Sequence, residues 1–129
     1  MARRSIKIGP FTLGASQSLA DVKPIPLEPN GRLSLHCIID GGSAGQVPTD
    51  APQGSWRLYF SGDDSAPFAP AIAAASTGEA SLASIAPNGN ALVNAYASFE
   101  GVPLARAKIV YERTSGGAAS RATLYVTVD

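Results

Sequence analysis

Apolar and polar side chains alternate with a period of two through much of this 129-residue chain, and that period predicts strands rather than helices. The pattern is clearest near the end. In residues 105–113, Ala107, Ile109 and Tyr111 share one face while Arg106, Lys108 and Glu112 share the other. In residues 122–128, Ala122, Leu124, Val126 and Val128 oppose Thr123, Tyr125 and Thr127. Thr114-Ser115-Gly116-Gly117 interrupts the alternation between them, and glycines supply the positive φ that a reversal needs. Residues 104–129 therefore predict a β-hairpin, with a linker through Ser120 that is longer than a tight two-residue turn.

Two further strands carry strong core signals. Residues 32–39 set Leu33, Leu35, Cys37 and Ile39 against Ser34, His36 and Ile38. Residues 55–61 set Trp56, Leu58 and Phe60 against Arg57 and Tyr59, so Trp56 is expected in the core and Tyr59 outside it. Tyr125 is expected on an outward face as well. Residues 91–99 alternate with Leu92, Asn94 and Tyr96 opposite Val93, Ala95 and Ala97.

Proline shapes the remaining elements. Residues 5–13 predict a strand broken at Gly9-Pro10, and residues 22–27 an edge strand or extended connector, because Pro10, Pro24 and Pro26 cannot donate to a central ladder. In residues 66–86, Ala71 to Ala75 favours helix while Pro67, Pro70, Gly78 and several serines oppose it. The segment is expected to form a short strand or loop and then a strand near residues 81–85. Turn signals lie at Pro29-Asn30-Gly31, Asp40-Gly41-Gly42, Gly62-Asp63-Asp64-Ser65 and Pro87-Asn88-Gly89-Asn90, and residues 43–54 form a loop without periodicity.

Short strands punctuated by turns, without a convincing amphipathic helix, predict an all-β fold: an antiparallel β-sandwich, jelly-roll-like, of about eight strands, with a small barrel as the alternative. Residues 1–14 are expected as an N-terminal strand or arm and residues 15–129 as a single sandwich domain. The length suits one domain.

Composition narrows the function classes. Ten basic residues balance ten acidic ones, so no global field favours nucleic acid or an anionic membrane. No stretch approaches the roughly 20 apolar residues of a membrane span, and Ser5 to Pro10 interrupts any signal-peptide core. Cys37 is the single cysteine and can form no internal disulfide; its apolar neighbours suggest a buried, reduced thiol and a cytosolic origin.

Candidate chemistry is sparse. His36 is the only histidine, and a strand points His36 and Cys37 to opposite faces, which opposes a nucleophile and base pair. One His and one Cys do not complete a zinc site. Asp40 and the pair Asp63-Asp64 offer oxygen ligands for calcium, but aspartates in turns more often cap backbone N–H groups. Asp63, Asp64, Glu79 and Glu100 have no spacing that defines a glycosidase pair, and neither glycine pair belongs to a phosphate-binding motif. No catalytic residue, metal or cofactor is expected.

Ile109-Val110-Tyr111-Glu112-Arg113-Thr114-Ser115-Gly116-Gly117, followed by Ala122-Thr123-Leu124-Tyr125-Val126, resembles the closing strands of small β-sandwich proteins of tailed bacteriophages. Gly54-Ser55-Trp56-Arg57-Leu58-Tyr59-Phe60-Ser61-Gly62-Asp63 is similar to another of their segments. Within that group the chain looks most like the jelly-roll cement, or decoration, proteins of phage heads. The resemblance implies a non-enzymatic virion protein, made in the host cytoplasm and placed on the capsid exterior, that bridges neighbouring major capsid subunits and self-associates as a dimer or trimer. Interface candidates are Arg3, Arg4 and Ile6 in the arm, Asp63, Asp64 and Phe68 in a loop, the loop of residues 43–54, and Tyr59 and Tyr125 on the outward faces. The alternative is a glycan-binding β-sandwich module of a phage tail or fibre, in which Tyr59 or Tyr125 would stack on sugar.

Overall fold

The computed structural model describes residues 4–14, 17, 18, 25–27, 31–62, 67, 69, 70, 82–102 and 106–129. Among these residues there are nine strands: β1 (Arg4–Thr12), β2 (Gln17–Ser18), β3 (Ile25–Pro26), β4 (Gly31–Asp40), β5 (Gln53–Ser61), β6 (Ala69–Pro70), β7 (Val93–Val102), β8 (Arg106–Ser115) and β9 (Arg121–Val128). They form two antiparallel sheets. One has the order β1-β9-β4-β7, the other β2-β8-β5-β6 with β3 also paired to β8.

This order has a simple logic. β2 and β3 lie against different parts of the same strand, at Tyr111 and Val110 and at Ala107 and Arg106, so together they act as one interrupted edge strand. The pairs β1 with β9, β2 and β3 with β8, β4 with β7 and β5 with β6 are then nested, as in one long hairpin rolled up on itself. The β4–β9 and β5–β8 ladders complete the two sheets. That is the double-sheet jelly roll, and it bears out the expected sandwich.

One expectation is corrected. β8 and β9 are not a hairpin: β8 belongs to the second sheet and β9 to the first, and residues 116–120 arch between them. Gly116 and Gly117 both have positive φ there, 65° and 90°. A hairpin and an arch each bury Ala107, Ile109 and Tyr111 together with Ala122, Leu124, Val126 and Val128; the first puts the two sets on one sheet, the second sets them facing each other. Periodicity is the same in both cases.

The inward faces meet in one core. Leu33, Leu35, Cys37, Ile39, Leu124 and Val126 are fully buried in the first sheet and pack toward Trp56, Leu58, Ile109 and Tyr111 of the second. Phe11 on β1 meets the Trp56 ring edge-on across this core, with centroids 6.1 Å apart at 88°, and Tyr111 lies 5.3 Å from the same indole. The Trp56 indole N–H donates to the Ile85 carbonyl at 3.1 Å, so its polar atom is satisfied as its rings are buried. Removing that side chain is expected to cost about 3–5 kcal/mol.

Ile85 sits in a second corrected segment. Instead of a strand, residues 82–86 form a helical turn, with Ile85 N–H donating to Leu82 O and Ala86 N–H to Ala83 O. Leu82 and Ile85 are three residues apart, a spacing that suits a helical turn whose two large side chains both point at the core, where they are 7% and 0% exposed. The remainder of that low-periodicity stretch, residues 71–81, lies outside the described residues.

β1 is a sheet strand from Arg4 onward, paired with β9, and not a free arm. Its Gly9-Pro10 bond is cis, and the register shifts between Ile8 and Phe11, which is where the expected proline break falls. Ile8 and Leu13 enter the core.

At one end of the sandwich Asp50 ties the loop of residues 41–52 to the β8–β9 arch. Its carboxylate accepts hydrogen bonds from Ala119 N–H, Ser120 N–H and Ser120 Oγ. Asn90 Oδ1 accepts from Ala51 N–H at 2.8 Å, and Gly89 N–H donates to Pro52 O, so the turn before β7 joins the same cluster.

Candidate interaction surface

Among the described residues, the outer face of the β1-β9-β4-β7 sheet gathers the most exposed tyrosines. Cross-strand register sets Lys7 opposite Tyr125, Tyr125 opposite His36, and His36 opposite Tyr96. One residue from each strand thus forms a transverse row, Lys7, Tyr125, His36, Tyr96, running the full width of the sheet. Tyr96 is 73% exposed and Tyr125 36%. Neighbouring strands lie only about 4.8 Å apart, so flat side chains at facing positions are driven to stack. Accordingly the His36 and Tyr125 rings stack with centroids 5.6 Å apart and 27° between planes, and Lys7 Nζ lies 5.9 Å from the Tyr125 centroid. His36 Nε2 is 2.7 Å from Asn94 Oδ1, an acceptor, which assigns the proton of that bond to Nε2.

A second row runs beside the first. Ser5, Thr127, Ser34 and Ser98 are in register across the same four strands. Ser34 Oγ and Ser98 Oγ are 3.2 Å apart, and Ser5 Oγ and Thr127 Oγ1 3.5 Å. Aromatic, imidazole, ammonium, amide and hydroxyl groups therefore share one sheet face.

One ion pair borders this face. Asp40, on β4, is directly opposite Arg121 on β9, and Arg121 Nε donates to Asp40 Oδ1 at 2.8 Å. The same oxygen accepts from Gly42 N–H at 3.0 Å, the backbone-capping role that an aspartate before Gly-Gly suggests. Among the described residues no three His, Cys, Asp or Glu side chains come together.

Cys37 points the other way from His36, into the core, as strand alternation requires. Burial pushes its thiol up to about 12 against a smaller lowering influence of the neighbouring Trp56 indole, so the reactive thiolate is suppressed.

The expected interface residues do not converge. Tyr125 joins the aromatic row, but Tyr59 is half-buried on β5 in the other sheet, where it faces Lys108. Arg4 donates from its guanidinium to Pro26 O, and Ile6 packs against the core, because β1 is a paired strand whose alternate positions turn inward. Arg3, Asp63, Asp64 and Phe68 lie outside the described residues. In the loop of residues 41–52, Gly41 N–H donates to Gln46 O at 2.7 Å and Ser43 Oγ to Gln46 Oε1 at 2.6 Å, while Val47 is 48% exposed.

Tyr96, His36 and Lys7 were not among the expected interface residues. A usable signal existed for Tyr96: it shares its strand face with Asn94, and an amide marks the solvent side. The row itself depends on register between strands distant in sequence.

No protein-family model, curated protein or solved structure matches this chain.

Proposed function

We propose that this chain is a structural protein that decorates and stabilises a bacteriophage capsid by bridging neighbouring major capsid subunits, and that the outer face of the β1-β9-β4-β7 sheet is the surface that meets the shell. The observation that carries the proposal is the transverse row of Lys7, Tyr125, His36 and Tyr96 on an open jelly-roll face. The jelly-roll order is the fold that the resemblance implies, which supports it independently. Tyr and His side chains held upright beside a row of hydroxyls supply apolar area and hydrogen bonds at little cost in side-chain entropy, which suits protein contact. Repetition over the symmetry of a shell multiplies a modest energy per copy.

The second reading, a glycan-binding module, draws on Tyr96, whose 73% exposure leaves ring surface open to a sugar. Tyr125 suits that role less well, since His36 covers one side of its ring and Lys7 approaches from the strand on the other.

The test is to add the purified chain to heads that lack it and measure co-sedimentation and the temperature at which the heads fail. Saturable binding at a fixed ratio to the shell protein, raised head stability, and weaker binding of Lys7→Glu and Tyr125→Ala are expected. A chain that stays in the supernatant, or that binds a saccharide array through Tyr96, overturns the proposal.

A further inference from the structure

We propose that β7 is a self-association edge, and that two copies of this chain pair antiparallel through it about a dyad at Tyr96, joining two four-stranded sheets into one of eight strands. The inference does not depend on the capsid reading.

An open edge strand offers a row of backbone donors and acceptors to any similar strand, and proteins normally defend such edges with charge, proline, bulges or very short strands. Three of the four edges carry such features among their described residues, and the fourth, β7, only at one end. β1 carries Arg4, Lys7 and the cis Gly9-Pro10 break with its register shift. The edges of the other sheet are β2 with β3 and β6, and β3 and β6 each contain a proline within their described residues. β7 is ten residues long; Glu100 and a register shift between Phe99 and Val102 guard its last residues, whereas residues 93–99 contain neither charge nor proline. Its one described ladder is with β4.

The same segment matches itself. Residues 93–99 are centred on Tyr96, so a dyad there sets Val93 against Phe99, Ala95 against Ala97, Asn94 against Ser98, and the two Tyr96 side chains side by side. Val93, Ala95, Ala97 and Phe99 are the inward set, half-buried or buried, so the inward pairs are apolar with apolar. Asn94, Tyr96 and Ser98 are the outward set, and those pairs are polar with polar and aromatic with aromatic. No like charges oppose each other within the seven residues. A dyad normal to the sheet keeps both outer faces on one side, so the aromatic rows of the two copies run into one another through Tyr96. Such an interface is isologous and closed, which yields a dimer and not a filament.

Sedimentation equilibrium of the isolated full chain, with amide hydrogen exchange read at residues 93–99, tests this without any particle. A monomer–dimer equilibrium is expected, with β7 amides protected at high concentration and released on dilution while β4 and β9 stay protected. Tyr96→Lys places two cations side by side at the dyad and is expected to weaken the dimer by about tenfold or more. Tyr96→Phe is expected to keep it. At 73% exposure Tyr96 is replaceable without loss of fold, which far-UV circular dichroism verifies. A chain that is monomeric at millimolar concentration, a trimer, or a dimer unchanged by Tyr96→Lys overturns the proposal. Failure of the shell-binding experiment with an intact dimer would strike the capsid reading alone.

Discussion

His36 and Tyr125 stack across two neighbouring strands, with ring centroids 5.6 Å apart at 27° and Lys7 Nζ 5.9 Å from the tyrosine centroid. The three side chains come from β4, β9 and β1, so their contact is a product of sheet order and not of local sequence. His36→Ala uncovers one side of the Tyr125 ring and is expected to lower stability by about 0.5–1 kcal/mol, the lower part of the range for aromatic pairs because the site is exposed. Urea unfolding measures it, and an unchanged midpoint would mean the stack contributes nothing.

Asp50 ties two loops together through three hydrogen bonds, and its carboxyl responds to two opposing influences. Burial pushes its pKa up, but hydrogen bonds from Ser120 Oγ and from the N–H groups of Ala119, Asp50 and Ser120 outweigh it, leaving the group below its ordinary 3.8. Its contribution is therefore fully present above that value and lost as pH falls through the lower folded value. Asp50→Asn, which keeps one acceptor, is expected to cost about 1 kcal/mol at neutral pH, the scale of a lost cap. It is also expected to flatten the stability profile below pH 4. An acid limb identical to that of the parent would contradict the assignment.

Cys37 carries the opposite dependence. Burial raises its thiol from 9.0 to about 12, so the folded state holds a proton that the unfolded chain releases in that interval. Stability is expected to decline as pH climbs from 9 towards 12, and Tyr111, also raised by burial against the opposing charge of Arg113, acts in the same sense. Cys37→Ala should lessen the slope. Ellman's reagent should modify the native thiol only at the rate of opening; rapid reaction in folded protein would show an exposed thiolate.

Gly116 in the arch and Ala51 in the loop that Asp50 ties to it are a contrasting pair. Gly116 has φ 65°, and a Cβ there would collide with the backbone carbonyls of Asp50 and Ala51. Gly116→Ala is expected to destabilise by about 3 kcal/mol or more, through strain and displacement of the Asp50 tie. Ala51 itself has φ 49°, a conformation that costs an L-residue about 1 kcal/mol, so Ala51→Gly should be neutral or slightly stabilising despite glycine's greater entropy when unfolded. Thermal melts of the two variants should move in opposite directions or differ sharply in size.

These residues also mark what the sequence could and could not convey. Inward faces were legible because a half-buried strand imposes a period of two, and the buried sets of β4, β5, β8 and β9 are the ones the alternation picks out. The partner of each face was not legible, since an arch and a hairpin between β8 and β9 bury the same side chains. The turn at residues 82–86 did have a signal, since Leu82 and Ile85 are three apart, which puts them on one side of a helical turn but on opposite faces of a strand. At the surface, Tyr125 was identifiable as outward, but its neighbours Lys7 and His36 come from residues 118 and 89 positions earlier, and only register brings them together.

The central claim is that this jelly roll is a shell-bound structural protein. It is tested most directly by its copy number in purified particles from its source, measured by quantitative mass spectrometry against the major shell protein. The proposed role predicts many copies in a simple, constant ratio to the shell. Absence from the particles, or a handful of copies confined to the tail, would contradict it.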